Sequence, residues 1–334
     1  MNRSIATKLS LLLIAAAFVS TSAMAGIVGS GTPSSCTEAA LQAQLAAGGT
    51  VTFNCGAGPQ TIAMTNTMVI LQNYPKIIID GNDTITLDGT GNTSGMISIF
   101  GSSTVLPDVT LRHLIIANGN ITTGLNAGGA IQNFGKLTLD TVTLRTSRAD
   151  GSGAIFQEPC TGCLTPALTV TRCTFQNNSS SAISMEGGIA TITDSTFTGN
   201  SSRLGGAIDI FSNADFTVVV TIERCTFEDN TGVFGGGAIA VDSLNTGSSV
   251  VIANDTFTGN STTNPSSLGS ALYLSATPVT VNNCTIAGNT APAGHGAVYF
   301  DTFSHVSAMN NTIIVSNSGG NCFIAAGSIF AGGH

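Results

Sequence analysis

Apolar and polar residues alternate through most of this chain in runs only three residues long. Leu137-Thr138-Leu139, Leu168-Thr169-Val170, Ala190-Thr191-Ile192, Val220-Thr221-Ile222 and Val279-Thr280-Val281 each set apolar side chains two apart, and Val250-Val251-Ile252 keeps the same frame. That period of two predicts short, half-buried strands. Seven positions after each run begins come Leu144, Phe175, Phe197, Phe227, Ile286 and Phe257, and three residues further on stand Asn178, Asn200, Asn230, Asn260 and Asn289. A third landmark recurs seven times: Gly128-Gly129-Ala130-Ile131, Gly153-Ala154-Ile155, Ser181-Ala182-Ile183, Gly205-Gly206-Ala207-Ile208, Gly236-Gly237-Ala238-Ile239, Ser270-Ala271-Leu272 and Gly296-Ala297-Val298. Self-similarity at roughly 24 to 33 residues marks a stacked repeat fold. No Asn-Gly or Asp-Gly pair joins neighbouring runs at hairpin spacing. One repeat is therefore read as one coil of a parallel β-helix, with like strands stacked about 4.8 Å apart.

That geometry gives each recurring residue a job. The Phe residues stack as a buried aromatic column, and the Asn side chains bond their counterparts in the coils above and below. Glycines of the third landmark permit positive φ at a tight corner, and Ala fits where the backbone nears the axis. Outward threonines form two columns, Thr143, Thr174, Thr196, Thr226, Thr256 and Thr285 in one, and Thr138, Thr169, Thr191, Thr221 and Thr280 in the other.

The N-terminal end differs. Arg3 and Lys8, an apolar stretch from Leu9 to Val19 and the small residues Ala23-Met24-Ala25 read as a secretory signal peptide over 1–25. Its apolar run is shorter than the roughly 20 residues a bilayer requires. Residues 37–47 are good helix formers that stop at Gly48-Gly49. A short helix here covers the apolar end of the first coil, making 26–56 an N-terminal cap and 57–334 the β-helix. The chain is expected to end in mid-coil, as a fragment of a longer protein.

Charged residues make up only 8% of the chain, and removing Arg3 and Lys8 leaves eight basic against 18 acidic residues, a net charge of −10. Nucleic acid is thereby excluded as an expected partner. Eight cysteines all follow the leader, in a chain bound for an oxidising compartment. Cys36 and Cys55 flank the predicted helix and first strand, where a bond would staple the cap. Cys160 and Cys163 can close a small loop, and no second pair exists to build a zinc site with them. Cys173, Cys225 and Cys284 share one position of the repeat. Cys173 and Cys225 lie two coils apart, roughly 10 Å, too far for a disulfide, so these are expected to be buried thiols.

The recurrence of Gly-Gly-Ala-Ile with Phe-x-x-Asn between Gly128 and Asn289 resembles the repeats of chlamydial-type polymorphic outer-membrane proteins. The opening from Cys36 to Cys55 is similar to the cap of pectate-lyase-like β-helices. The resemblance implies an all-β, single-stranded, right-handed parallel β-helix on the surface of, or secreted from, a bacterium. It also implies adhesion, with an extracellular glycan or a host or cell-surface protein as partner. Those autotransporters end in a membrane β-barrel, which has no counterpart in this sequence.

A non-catalytic, adhesin-like scaffold is the function expected first, with no catalytic residue, cofactor or metal. Calcium has no Asp-rich loop of regular ligand spacing to support it. The alternative is a polysaccharide lyase or glycoside hydrolase, which needs positioned carboxylates. Asp209, Asp242 and Asp301 each follow a Gly-Ala-Ile-type anchor and are the candidates for one wall, while Arg145, Arg148 and Asp150 form the densest polar cluster of the early coils. Gly294-His295-Gly296 is similar to the Gly-His-Gly motif of polygalacturonases but coincides with a repeat anchor and lacks the motifs that accompany it. Ice binding is the remote alternative, because paired Thr-x-Thr on one strand occurs only at Thr169 with Thr171 and at Thr191 with Thr193.

Overall fold

The computed structural model describes residues 26–74, 76–122, 127–212, 215–275, 278–301, 307–324 and 330–332. The predicted leader and residues 333–334 lie outside the described residues. The chain winds as a parallel β-helix whose strands stack into a broad 19-stranded wall, a narrow 10-stranded wall and a three-stranded strip. All named strand pairs are parallel, and register joins like positions of successive repeats. Thr169 faces Thr191 and Thr191 faces Thr221, while Phe175 faces Phe197 and Phe197 faces Phe227.

Each coil bends the broad wall at one residue in the left-handed region. His113, Thr141, Arg172, Asp194, Arg224, Asn254, Asn283 and Asn311 occupy this corner with φ between 49° and 61°. Such conformations cost a residue with a Cβ roughly 1–2 kcal/mol. Repetition supplies a local compensation, because stacked corners place opposite charges in contact. Arg112 bonds Asp80 at 2.8 Å, and Arg224 bonds Asp194 at 2.8 Å.

A second corner follows, and the residue after it carries the ladder. Asn178, Asn200, Asn230 and Asn260 each donate both the backbone N–H and Nδ2 to the Oδ1 of the next ladder Asn, at 2.9–3.0 Å. Nδ2 also donates to a carbonyl of the preceding coil, as from Asn230 to Phe197 at 2.9 Å. Every polar atom of these buried side chains is thereby used, as burial demands.

The third landmark needs its glycines for two separate reasons. Gly205 and Gly236 take φ of 56° and 57°. Gly206 and Gly237 do not have positive φ; a Cβ there would collide with the carbonyl oxygens of Gly237 and Ser270 in the next coil. Close approach of backbones, rather than left-handed φ, is what the second glycine permits.

Inside, Phe175, Phe197, Phe227 and Phe257 stack with centroids 4.7–4.9 Å apart. Glu38–Leu45 is an α-helix, capped by Thr37 Oγ1 accepting from Ala40 N at 3.1 Å, and it buries Leu41 and Leu45 over the first coil. The Cys36–Cys55 disulfide closes this cap, and Cys160–Cys163 closes its loop. Cys173, Cys225 and Cys284 are buried free thiols. Among the described residues no helix is long and apolar enough to cross a membrane.

Candidate functional site

The outward face of the narrow wall is where the copies of the repeat disagree. Its central column, one residue past the Ile of each anchor, runs Ser184, Asp209, Ala240, Tyr273, Tyr299 and Phe323 in register. A second outward column lies two residues further along each coil. Phe211 pairs with Asp242, Ser275 N–H donates to Val241 O, and Asp301 N–H donates to Leu274 O, so Ser275 and Asp301 continue the line. Glu158 and Glu186 hold the same position in earlier coils, each one residue past a strand that ends at Gln157 or Met185.

The three carboxylates flagged from the sequence therefore share one wall but not one site. Asp209 and Asp242 are neighbours on adjacent coils, and burial followed by the nearby Asp242 charge raises the Asp209 carboxyl to about 8. Asp301 stands two coils beyond Asp242, roughly 10 Å at the strand spacing. It accepts from Ser275 Oγ at 3.1 Å. Glu158 is raised to about 7, first by burial and then by Glu186.

Beside Asp209 the wall opens into a cleft of about 410 Å³ lined by Asp150, Ser152, Ser180, Ser184, Arg203 and Asp209. Asp209 is half-buried and has no hydrogen-bond donor among the described residues. The small strands Ser201–Leu204 and Thr231–Gly235 form the rim. There Arg203 lies 5.1 Å over the ring of the exposed Phe234. The Arg145, Arg148 and Asp150 cluster is divided by the fold: Asp150 enters this cleft, whereas Arg145 sits at the end of the broad-wall strand Lys136–Arg145.

Further along, the rings of Tyr273, Tyr299 and Phe323 stack at 5.7 and 5.4 Å. Tyr273 packs against Gly235 of the rim, where a Cβ would press on its ring at 3.1 Å. These aromatics were not singled out by periodicity, since the central outward column has no common residue type. The signal available was positional, the residue immediately after each anchor's Ile.

His295 belongs to the scaffold. Its Nδ1 lies 2.7 Å from the Ser267 carbonyl, and Gly296-Ala297-Val298 continues the anchor column, with Val298 facing Leu272. The broad wall keeps its threonines in register, but the corner residues bend the chain between the two columns. Thr138 and Thr143 share the strand Lys136–Arg145, but in the next coils the corner residue splits the two columns onto separate strands, as with Ala167–Thr171 and Thr174–Gln176. Among the described residues no group of three His, Cys, Asp or Glu is arranged to hold a metal ion.

No curated protein matches this chain. Among solved structures, PfbA, a surface adhesin of Streptococcus pneumoniae, is similar at 12% identity over 90% of this chain and 93% of that chain, with a TM-score of 0.44, too low a likeness to argue from. The model of the right-handed β-helix region matches residues 131–286 and again 167–331. With those matches spanning more than half of a chain whose repeats coil as described, this protein belongs to the right-handed β-helix family.

Proposed function

We propose that this protein is a secreted or cell-surface scaffold that binds an extracellular glycan, without cleaving it, along the narrow wall. The observation that carries this reading is the run of Tyr273, Tyr299 and Phe323, stacked on one outward column and bordered by Asp242, Ser275 and Asp301. The rings cover one another's faces, so the column offers a continuous line of ring edges, and the polar groups beside it supply the hydrogen bonds that a sugar ring meets in turn. A rigid stack of coils holds these groups at fixed spacing, which lowers the ordering cost of binding an extended chain.

One observation favours a second reading. Asp209, raised to about 8 beside Asp242, has the protonation state of a general acid at neutral pH. Paired carboxyl groups of this kind serve glycoside hydrolysis when a sugar lies between them. A panel of immobilised glycans, combined with an assay for new reducing or unsaturated ends, separates the two. Binding that truncation of the exposed Phe323 to Ala weakens, with no new chain ends, supports the scaffold. New ends that disappear in Asp209→Asn replace it with the enzyme, and no binding to any glycan removes both.

A further inference from the structure

The two disulfides of this chain stand in opposite surroundings. Cys36 and Cys55 are only 4% and 5% exposed and belong to the core at the N-terminal end. Cys160 and Cys163 are each partly exposed, on a turn between the narrow-wall strand Ile155–Gln157 and the broad-wall strand Ala167–Thr171. Thr161 and Gly162 at its tip are exposed, and a Cβ added at Gly162 would meet nothing within 4 Å. Beside the turn lies a cleft of about 260 Å³ lined by both cysteines and by Pro159, Gly162, Gly188 and Thr217. The turn is also held by bonds that do not need the disulfide. Cys163 N–H donates to Cys160 O at 2.9 Å, Leu164 N–H to Ser102 O at 3.0 Å in an earlier coil, and Ile189 N–H to Pro166 O at 3.0 Å from the next coil.

We propose that Cys160–Cys163 is a reversible thiol–disulfide exchange site for small extracellular thiols, opened and closed on an intact coil. Access selects it. An attacking thiolate must reach a sulfur in line with the S–S bond, and the partly exposed pair beside the cleft offers that approach while the buried Cys36–Cys55 pair does not. The thiolate forms a mixed disulfide with one sulfur; the S–S electron pair leaves on the other, which takes a proton from water. A second thiolate then attacks the small-molecule sulfur of the mixed disulfide and expels the remaining protein thiolate, which is protonated in turn. The two small thiols leave as their own disulfide, two electrons poorer, and Cys160 and Cys163 stand as a dithiol. Closing runs the same steps backwards, with a small disulfide as the oxidant. Opening costs the fold little, because the stabilisation from a cross-link grows with the loop it closes and this pair is separated by 3 positions against 19 for Cys36–Cys55. The hydrogen bonds of the turn keep the two thiols near each other, ready to close again.

The buried free thiols Cys173, Cys225 and Cys284 make the test self-controlled, since a reagent reaches them only when the coil opens. The whole protein is incubated without denaturant, and without oxygen, at rising dithiothreitol concentration, alkylated with iodoacetamide and read cysteine by cysteine by peptide mass spectrometry. Cys160 and Cys163 are expected to become labelled at a dithiothreitol concentration at least about tenfold below the one that labels Cys36 and Cys55. Cys173, Cys225 and Cys284 should stay unlabelled over that range, and excess glutathione disulfide should then restore the Cys160–Cys163 bond. Cys160→Ser and Cys163→Ser each leave one thiol of the pair, and glutathione disulfide should trap the mixed disulfide on at least one of them, with circular dichroism verifying the coil. Three results overturn the proposal: both disulfides opening together, Cys160–Cys163 opening only once the buried thiols are labelled, or no mixed disulfide on either folded variant.

Discussion

The backbone N–H of Cys225 donates to Oδ1 of Asp255 at 2.6 Å, inside the coil. This is one rung of a column in which the side chain accepts an N–H from the coil before and donates to the carbonyl two residues back. Ser195 accepts from Cys173 N and donates to Thr193 O, and Thr312 accepts from Cys284 N and donates to Asn310 O. A carboxylate has no hydrogen to donate, and Asp255 Oδ2 is buried without a partner. Burial, the larger cause, and the Glu223 charge together raise the Asp255 carboxyl from 3.8 to about 7. The folded protein thus holds a proton there that the unfolded chain releases near its ordinary pKa. The stability this contributes is full below about pH 4 and is lost as pH rises through about 7. Asp255→Ser supplies the missing hydroxyl. The stability of the variant relative to the parent should increase between pH 5 and pH 8.5, as measured by chemical denaturation; parallel pH profiles would refute the protonated rung.

Asn230 tests the main ladder. Its Oδ1 accepts from both Asn200 N and Asn200 Nδ2, and its own Nδ2 donates to Phe197 O and Asn260 Oδ1. Truncation to Ala leaves buried groups without partners, each costing about 1–3 kcal/mol. Asn230→Ala is therefore expected to lose at least about 2 kcal/mol in a urea titration. Asn230→Ser should recover part of this, because Ser147 fills the ladder position in an earlier coil and accepts from Gly119 N at 3.1 Å.

Phe227 lies between Phe197 and Phe257 with no exposure, its ring centroid 4.9 and 4.8 Å from theirs. Phe227→Ala should cost about 3–5 kcal/mol through the cavity it leaves. Phe227→Leu should cost much less, since Leu144 and Ile286 hold the same column at its two ends. Similar losses for both variants would mean that the aromatic stack itself, beyond filled volume, holds the coils in register.

These axial columns are legible because burial and stacking impose one residue type on successive central coils, with Ser147, Leu144 and Ile286 substituting only at the ends. The Phe and Asn positions repeat for that reason, and so do the Ala residues of the anchors. The groove obeys no such constraint. Ser184, Asp209, Ala240 and Tyr273 stand in one outward line yet share no chemistry, so periodicity could place their wall but could not group them into a site. Asp209, Asp242 and Asp301 share the criterion of following an anchor closely, which passes over the difference between one position past its Ile, the central column, and three, the next. Only the register separates Asp301 from the Asp209–Asp242 neighbourhood. The second anchor glycine likewise needed three dimensions, because its neighbour is a backbone a whole coil away.

At the N-terminal end, the Cys36–Cys55 bond ties the segment before the capping helix to the residues just after the broad-wall strand Gly49–Phe53, with Cα atoms 5.6 Å apart across 19 residues. Closing a loop of that length in the unfolded chain is worth about 3 kcal/mol. The double variant Cys36→Ser with Cys55→Ser should lose about that much and should increase amide exchange first in the helix holding Leu41 and Leu45. Uniform loosening of distant coils instead would show that the cap does not unfold as a local unit.

The titration of Asp209 decides how the narrow wall meets a ligand at neutral pH. Two causes raise its carboxyl to about 8, burial first and the Asp242 charge second. Asp242→Asn removes the second and leaves the first. The midpoint followed by carboxyl carbon NMR should therefore move down in the variant yet stay well above the ordinary value of 3.8. If burial dominates as the geometry indicates, the larger part of the elevation survives. A collapse to the ordinary range would assign the shift to the pair alone and would mean that Asp209 is well hydrated by the cleft. Stability provides the independent readout. The extra proton held by the folded state favours folding fully below about pH 4, and that contribution disappears as pH rises through about 8. Asp209→Asn must then flatten the upper part of the stability profile, a change distinct in pH from that of Asp255, and a groove carboxyl without elevated affinity for protons would leave that part of the profile as it was.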